Sequence, residues 1–206
     1  LLFWAVLCYG VSSWRFAAPV LASFLLGGWL LTTFIIPAVG DVVIEETYHS
    51  PAGGDILMTQ REAVNDAWDL PHSVTMDAFV ASHPEWEGKT QTTSLFEWKW
   101  YYAFQQVGDE KARPLSTAYQ QTAEKRYEAA GWVALLSPAT LFKRHLTHLA
   151  ETDAKAAWQY ERDVRAFHAE LRQFYYPLLF NDVKYDEGAL ATRPTFNPKR
   201  NAEDER

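Results

Sequence analysis

The sequence predicts an all-α protein in which transmembrane helices are followed by an extracytoplasmic up-and-down helical bundle, and three observations predict it. Ala17 to Val39 is an uncharged run of 23 residues, which as a helix spans about 35 Å, enough to cross a bilayer. After residue 55 the apolar residues recur at spacings of three and four, the period of a helix with one buried face. No alternating run of convincing strand length occurs in that region.

The first element is the apolar run of residues 1–11, which reads as the tail of a truncated membrane helix. A signal peptide fits it less well, because there is no initiator Met or basic leading region and a longer apolar run follows. The second is the full membrane helix, 17–39. Gly27-Gly28 and Thr32-Thr33 suit close helix packing or hydrogen bonding within it, and Pro37 is placed to kink its end. Between the two runs lies Ser12-Ser13-Trp14-Arg15-Phe16, whose Arg15 is the only charge before Asp41. The positive-inside rule puts that connection on the cytoplasmic side and everything after residue 40 outside, periplasmic in a Gram-negative cell. The sequence reads as a segment of a longer, multi-pass protein of the cytoplasmic (inner) membrane.

Without Arg15 the chain carries 18 Lys and Arg against 26 Asp and Glu, a net of −8 for the part beyond the membrane. An acidic surface of this kind argues against a nucleic-acid partner. About 165 residues, with 15% aromatic residues in the chain as a whole, suffice for one real core. The sole cysteine, Cys8, lies in the first apolar run and allows no intrachain disulfide.

Residues 41–55, in which β-branched residues give way to His-Ser-Pro-Ala-Gly-Gly, read as an extended linker ending in a turn. The helical domain then runs over 56–180. One kinked helix or two short ones, interrupted at Pro71, end at His83-Pro84. A polar loop follows, in which Trp86 is placed to dock on the core. A helix from about Ser94 to Val107 is expected to stop at Gly108-Asp109, with the next starting near Pro114. Ser137-Pro138 reads as the cap and first position of the following helix, and Thr152-Asp153 as the cap of a long amphipathic one ending at Pro177. Residues 181–206 are rich in turn formers and charge and read as irregular, leading toward a possible further membrane helix.

Few residues point to chemistry. His145 and His148 stand at i and i+3 and are weak candidates for sharing a metal ion, but no third ligand stands at matching spacing. His145 also falls in the stripe of Leu141, Phe142, Leu146 and Leu149, so the plainer reading is a structural histidine. The remaining histidines, His49, His72, His83 and His168, have no tight mutual spacing. No Gly-x-Ser-x-Gly elbow and no phosphate-binding glycine loop occurs, so any ATP is expected to bind on another chain. No catalytic residue and no cofactor is predicted. The cluster Trp98 to Phe104 suits an apolar or lipidic ligand, although core packing and contact with a membrane surface are the simpler reading.

Taken in order, the membrane helix, the Pro-containing linker, Arg61-Glu62-Ala63, Phe79-Val80-Ala81-Ser82-His83-Pro84-Glu85, Leu136-Ser137-Pro138-Ala139 and Leu149-Ala150-Glu151-Thr152-Asp153 form a pattern. It resembles the bacterial ABC-2-type transporter permeases that carry a large helical extracytoplasmic domain between membrane helices. The resemblance runs from about residue 17 to 185. One departure is Glu151, where the pattern leads to Gly before Thr-Asp. The resemblance implies a membrane subunit that pairs with a second permease subunit and is driven by a cytoplasmic ATP-binding subunit. It implies no catalytic residues. The alternative is a membrane-anchored binding or sensory module that transports nothing.

Overall fold

The computed structural model describes residues 2–94, 96–183 and 186–197. It is helical, with no strand among the described residues. Among the described residues nine α-helices follow one another: α1 (Leu2–Ser12), α2 (Ala18–Leu30), α3 (Ile36–Thr47), α4 (Gly53–Trp68), α5 (His72–Ser82), α6 (Trp98–Leu135), α7 (Pro138–Leu149), α8 (Ala154–Phe180) and α9 (Glu187–Ala191). The chain divides into two compact units, one of Leu1–Ser50 with Gln120–Ala156 and one of Pro51–Tyr119 with Ala157–Arg206.

In the first unit, α2, a π-helical turn (Leu31–Ile35) and α3 make up Ala18–Thr47, a 30-residue helix long and apolar enough to cross a membrane. Among the described residues it is the only such helix, since α1 is apolar but has 11 residues. The π turn has a covalent cause. Pro37 carries no N–H and its ring crowds the carbonyl four residues back, so the helix widens just before it. The Ile36 N–H reaches the Leu31 carbonyl, five residues back, and the Thr32 hydroxyl donates to Gly28 O at 2.8 Å.

This apolar helix does not end at Val39, and the expected linker over 41–55 is largely helical: α3 continues to Thr47 and α4 begins at Gly53. The β-branched run Val42-Val43-Ile44 is a weak preference, and packing overrides it. A Cβ on Gly40 would overlap the Val133 side chain, so α3 and the last part of α6 lie backbone to side chain there. The Arg126 Nε donates to the carbonyl of Tyr48, the C-cap of α3, at 2.9 Å. A cation on an otherwise unpaired terminal carbonyl is favourable at a helix C-terminus.

In the second unit the core is Ala67, Met76, Phe79, Trp100, Ala103, Phe104, Tyr176 and Phe180. Pro71 separates α4 from α5, and His83 ends α5 ahead of a 3-10 turn (Pro84–Trp86). Trp86 does dock, stacking on Phe180 at 5.1 Å between ring centroids. Of the aromatic cluster, Trp100 and Phe104 are buried, whereas Trp98 and Tyr102 are exposed. Pro177 lies inside α8, which runs on to Phe180. Of the segment 181–206, residues 187–191 form α9, while 184, 185 and 198–206 lie outside the described residues.

The expected break at Gly108-Asp109 is absent, and α6 is one helix of 38 residues with Pro114 inside it. Trp100, Ala103, Phe104, Gly108 and Ala112 are all buried and fall on one stripe at helical spacing. Gly108 is thus a point of close approach to α4: a Cβ there would stand 2.5 Å from Val64 Cγ2 and 2.9 Å from the Gln60 carbonyl oxygen. Pro114 is exposed, and it deprives the carbonyl of Glu110, four residues back, of its helical partner.

This contact sets a measurable cost. Gly108→Ala gains up to about 1 kcal/mol of helix propensity but overpacks against backbone, which costs about 1–3 kcal/mol. A lower thermal midpoint in detergent is expected. Val64→Ala in the same chain is expected to relieve only part of the loss, because the Gln60 oxygen remains.

Candidate functional site

The described residues form a cleft of about 600 Å³ in the second unit, lined by the end of α5, the first half of α6 and the second half of α8. Two faces at helical spacing build it. On α6 they are Tyr102, Gln105, Gln106, Asp109, Glu110 and Arg113, and on α8 His168, Leu171, Arg172, Tyr175 and Tyr176. Tyr176 is buried and meets Tyr102 and His83 edge-on, at 6.1 and 5.7 Å between ring centroids. Burial pushes its phenol above the ordinary tyrosine range, with the nearby Arg172 charge opposing. Tyr176 therefore stays a neutral hydroxyl at physiological pH.

The polar groups of the cleft are largely engaged with protein. Asp109 accepts from Gln60 Nε2 at 2.7 Å, and Glu110 pairs with Arg113. The Ser82 hydroxyl donates to Phe79 O at 3.0 Å and accepts from Gln106 Nε2 at 2.6 Å. Its proton is committed to a backbone carbonyl rather than to His83, so the pair is not an activated nucleophile. Tyr101, Tyr102, Tyr175 and Tyr176, with charged residues of both signs, suit a small ligand that has a flat apolar body and polar ends.

In the first unit the residues singled out from the sequence gather at the α7–α8 turn. Ser137 is fully buried, accepts from the Thr140 N–H at 3.3 Å and caps α7, with Pro138 in the first turn. Asp153 is a hub: its Oδ1 accepts from the Ala156 N–H at 3.0 Å, and its Oδ2 accepts from the Tyr127 hydroxyl at 2.9 Å. His148 Nδ1 stands 3.1 Å from the same Oδ2. The Ala156 N–H foremost, with help from Tyr127 and His148, holds the Asp153 carboxyl below its usual range against the opposing effect of burial. Thr152 turns its hydroxyl back to Thr147 O at 3.4 Å rather than onto α8.

His148 is therefore spoken for by Asp153, and His145 is exposed rather than packed into an interior. No group of three or more His, Cys, Asp or Glu side chains placed to hold a metal ion occurs among the described residues.

The turn itself explains the departure at Glu151. The Thr152 N–H bonds Thr147 O at 2.9 Å and the Glu151 N–H bonds His148 O at 3.1 Å, the paired bonds of a Schellman C-cap. This motif puts Glu151 at a φ of 52°, the left-handed region that favours Gly. The tight turn is kept, with a side chain where none is comfortable. Asp182 repeats the motif at the end of α8 with a φ of 53°. Its carboxylate holds the buried Lys99 Nζ at 2.7 Å.

Comparison with known families matches residues 56–199 to a domain of unknown function, DUF3526. That span is well over half of the chain. The chain belongs to this family. No curated protein and no solved structure matches it. The DUF3526 span begins within the first turn of α4 and contains both the tyrosine-lined cleft and the α7–α8 turn, but not the membrane-length helix.

The cleft was missed by sequence reasoning because its α6 face straddles the expected break at Gly108. The signal that could have found it is the spacing of Tyr102, Gln106, Asp109 and Arg113, which persists across the glycine.

Two outcomes test the α7–α8 turn. Glu151→Gly is expected to stabilise the protein by about 1 kcal/mol by removing left-handed strain, whereas Glu151→Ala, which keeps a Cβ, is expected to gain little. The folded pKa of Asp153 is lowered, so its contribution to stability is complete above its unfolded pKa of about 3.9 and is lost as pH falls through the folded value. Thermal midpoints measured below about pH 4 are expected to fall less steeply in Asp153→Asn than in the wild type.

Proposed function

We propose that this chain is part of the permease subunit of an ABC-type export system. In this reading it sits in the cytoplasmic membrane with residues 41–206 on the extracytoplasmic side, where the helical domain gates or guides substrate or docks a partner. The observation that carries the proposal is the order of its parts. A helix long and apolar enough to span a bilayer is followed, eight residues after its end, by a DUF3526 domain, a family associated with ABC-2 permease-like proteins.

The energy source follows from what the residues offer. Neither the cleft nor the α7–α8 turn presents a phosphate-cradling loop, so ATP hydrolysis is assigned to a separate cytoplasmic subunit. The chain itself then acts as no enzyme. A second permease subunit, identical or related, completes the pathway, and closure at the ATPase reaches the outer side through the helices. Arg15, between α1 and α2, supports a cytoplasmic side for that connection under the positive-inside rule.

A second reading has one observation in its favour, the cleft of about 600 Å³ lined by Tyr101, Tyr102, Tyr175 and Tyr176. A membrane-anchored binding or sensory module needs such a cleft and no transport machinery.

Affinity purification of the complete protein from its native membrane separates the two. The permease reading expects an ATP-binding subunit to co-purify and the complex, in liposomes, to hydrolyse ATP in a substrate-dependent way. Recovery of the protein without any ATPase, and with no such turnover, would sink it and leave the binding module.

A further inference from the structure

The helix α7 is amphipathic the wrong way round for a helix bathed in water. Its turns place Leu141, Phe142, Leu146 and Leu149 on one stripe, and all four are exposed, at 42, 64, 48 and 68%. The residues it turns toward the protein are Thr140, Arg144 and Thr147, each half-buried. The Arg144 Cζ stands over the Tyr127 ring, 3.8 Å from its centroid, and Arg144 Nη1 donates to Tyr127 O at 3.2 Å. The polar edge packs and the apolar face looks out. In water that arrangement wastes the burial that stabilises a helix.

The surroundings of α7 say what covers that face. The last part of α6 runs antiparallel to α3: Arg126 bonds to Tyr48, and seven residues later Val133 packs on Gly40. Eight residues separate Gly40 from Tyr48, so the two helices keep step at about 1.5 Å per residue. Continuing in step, the elbow 135–137 reaches the level of Ile36–Ala38, near the end of the uncharged run. There α7 packs against the π turn Leu31–Ile35, which lies within the membrane-length helix. On the way the chain shows Trp132, Leu135 and Leu136, exposed at 74, 58 and 63%. An exposed Trp at this depth is the residue type that membrane interfaces favour.

We infer that the α6–α7 elbow dips into the outer boundary of the bilayer, with α7 lying on lipid through Phe142, Leu146 and Leu149. The occupant of the face is lipid because the face is continuous with the apolar surface of the spanning helix and because the packed edge of α7 carries its polar residues. Interfacial helices present an apolar side to the acyl boundary and a polar side away from it. The inference rests on Ala18–Thr47 crossing the membrane but on nothing else in the permease reading, since a binding module with the same anchor would present the same helix.

Site-directed spin labelling of the complete protein in liposomes of phosphatidylcholine and phosphatidylglycerol tests it. In a Cys8→Ser background, single cysteines replace Phe142, Leu146, Lys143 and, within the spanning helix, Phe24. Nitroxides at Phe142→Cys and Leu146→Cys are expected to collide with oxygen in preference to a water-soluble nickel chelate, as at Phe24→Cys. Lys143→Cys is expected to show the reverse preference, and Leu149→Cys replaces either apolar site if it fails to insert.

If labels at 142 and 146 meet the chelate as freely as at 143, the face is wet and the inference fails. If they meet neither reagent, protein covers the face, whether a second copy or a partner, and the inference fails equally. Should Phe24→Cys also meet the chelate, the spanning helix and the elbow fall together. A lipid-like Phe24 with a wet or protein-covered α7 removes the elbow alone and leaves the permease proposal standing.

Discussion

The constraint on which the first unit depends is an apolar helix that the described residues leave unburied. Ala18–Thr47 has an 18-residue window of mean hydropathy 1.9, none of which is buried against other parts of the protein. Its length and composition are those a bilayer requires of a spanning segment, whose N–H and C=O groups must pair internally as they do in a helix. The deviations within it are those a membrane helix tolerates. A π turn absorbs Pro37, and a hydroxyl bonds to a carbonyl four residues back. Polar connections begin only where Asp41 and Glu45 appear, and there α6 pairs with α3.

The second unit depends instead on aromatic packing. Phe79, Tyr176 and Phe180 meet one another with ring centroids 5.2 to 5.8 Å apart, and Trp86 closes over Phe180. Two polar ties hold the end of α8 to other parts of this unit, Asp182 to Lys99 and Asn181 to Lys89. Lys99 is a buried cation whose partner is exposed, so removing Asp182 would leave a charge under the surface. That is costlier than losing a surface pair.

Much of this was legible in the sequence, and the parts that were not have identifiable physical causes. Pro71, His83-Pro84, Ser137-Pro138 and Thr152-Asp153 mark helix ends because each acts through local geometry, which sequence carries directly. Gly108, Pro114 and Pro177 carry equally strong local signals, yet both helices run through them. At Gly108 the glycine serves packing against Val64 and Gln60 rather than termination. The prolines are tolerated because each removes only one hydrogen bond, which a long, well-packed helix can lose. The stripe of α7 was visible as apolar, but amphipathicity shows only that a stripe exists and not which solvent it meets.

The π turn at Leu31–Ile35 also fixes phase. A π turn amounts to one residue inserted into an α-helix, and each inserted residue rotates everything after it by about 100° about the helix axis. Gly40 faces Val133, and Tyr48 offers its carbonyl to Arg126, only with that extra residue counted. A deletion of one residue between 31 and 35 would leave the helix apolar, regular and still long enough to span a bilayer. It would nonetheless swing Gly40 away from α6 and bring a side chain from the β-branched run into the gap. In this chain the length of the helix decides whether it can enter a membrane, and the residue count within it decides which direction its exit presents to the rest of the unit.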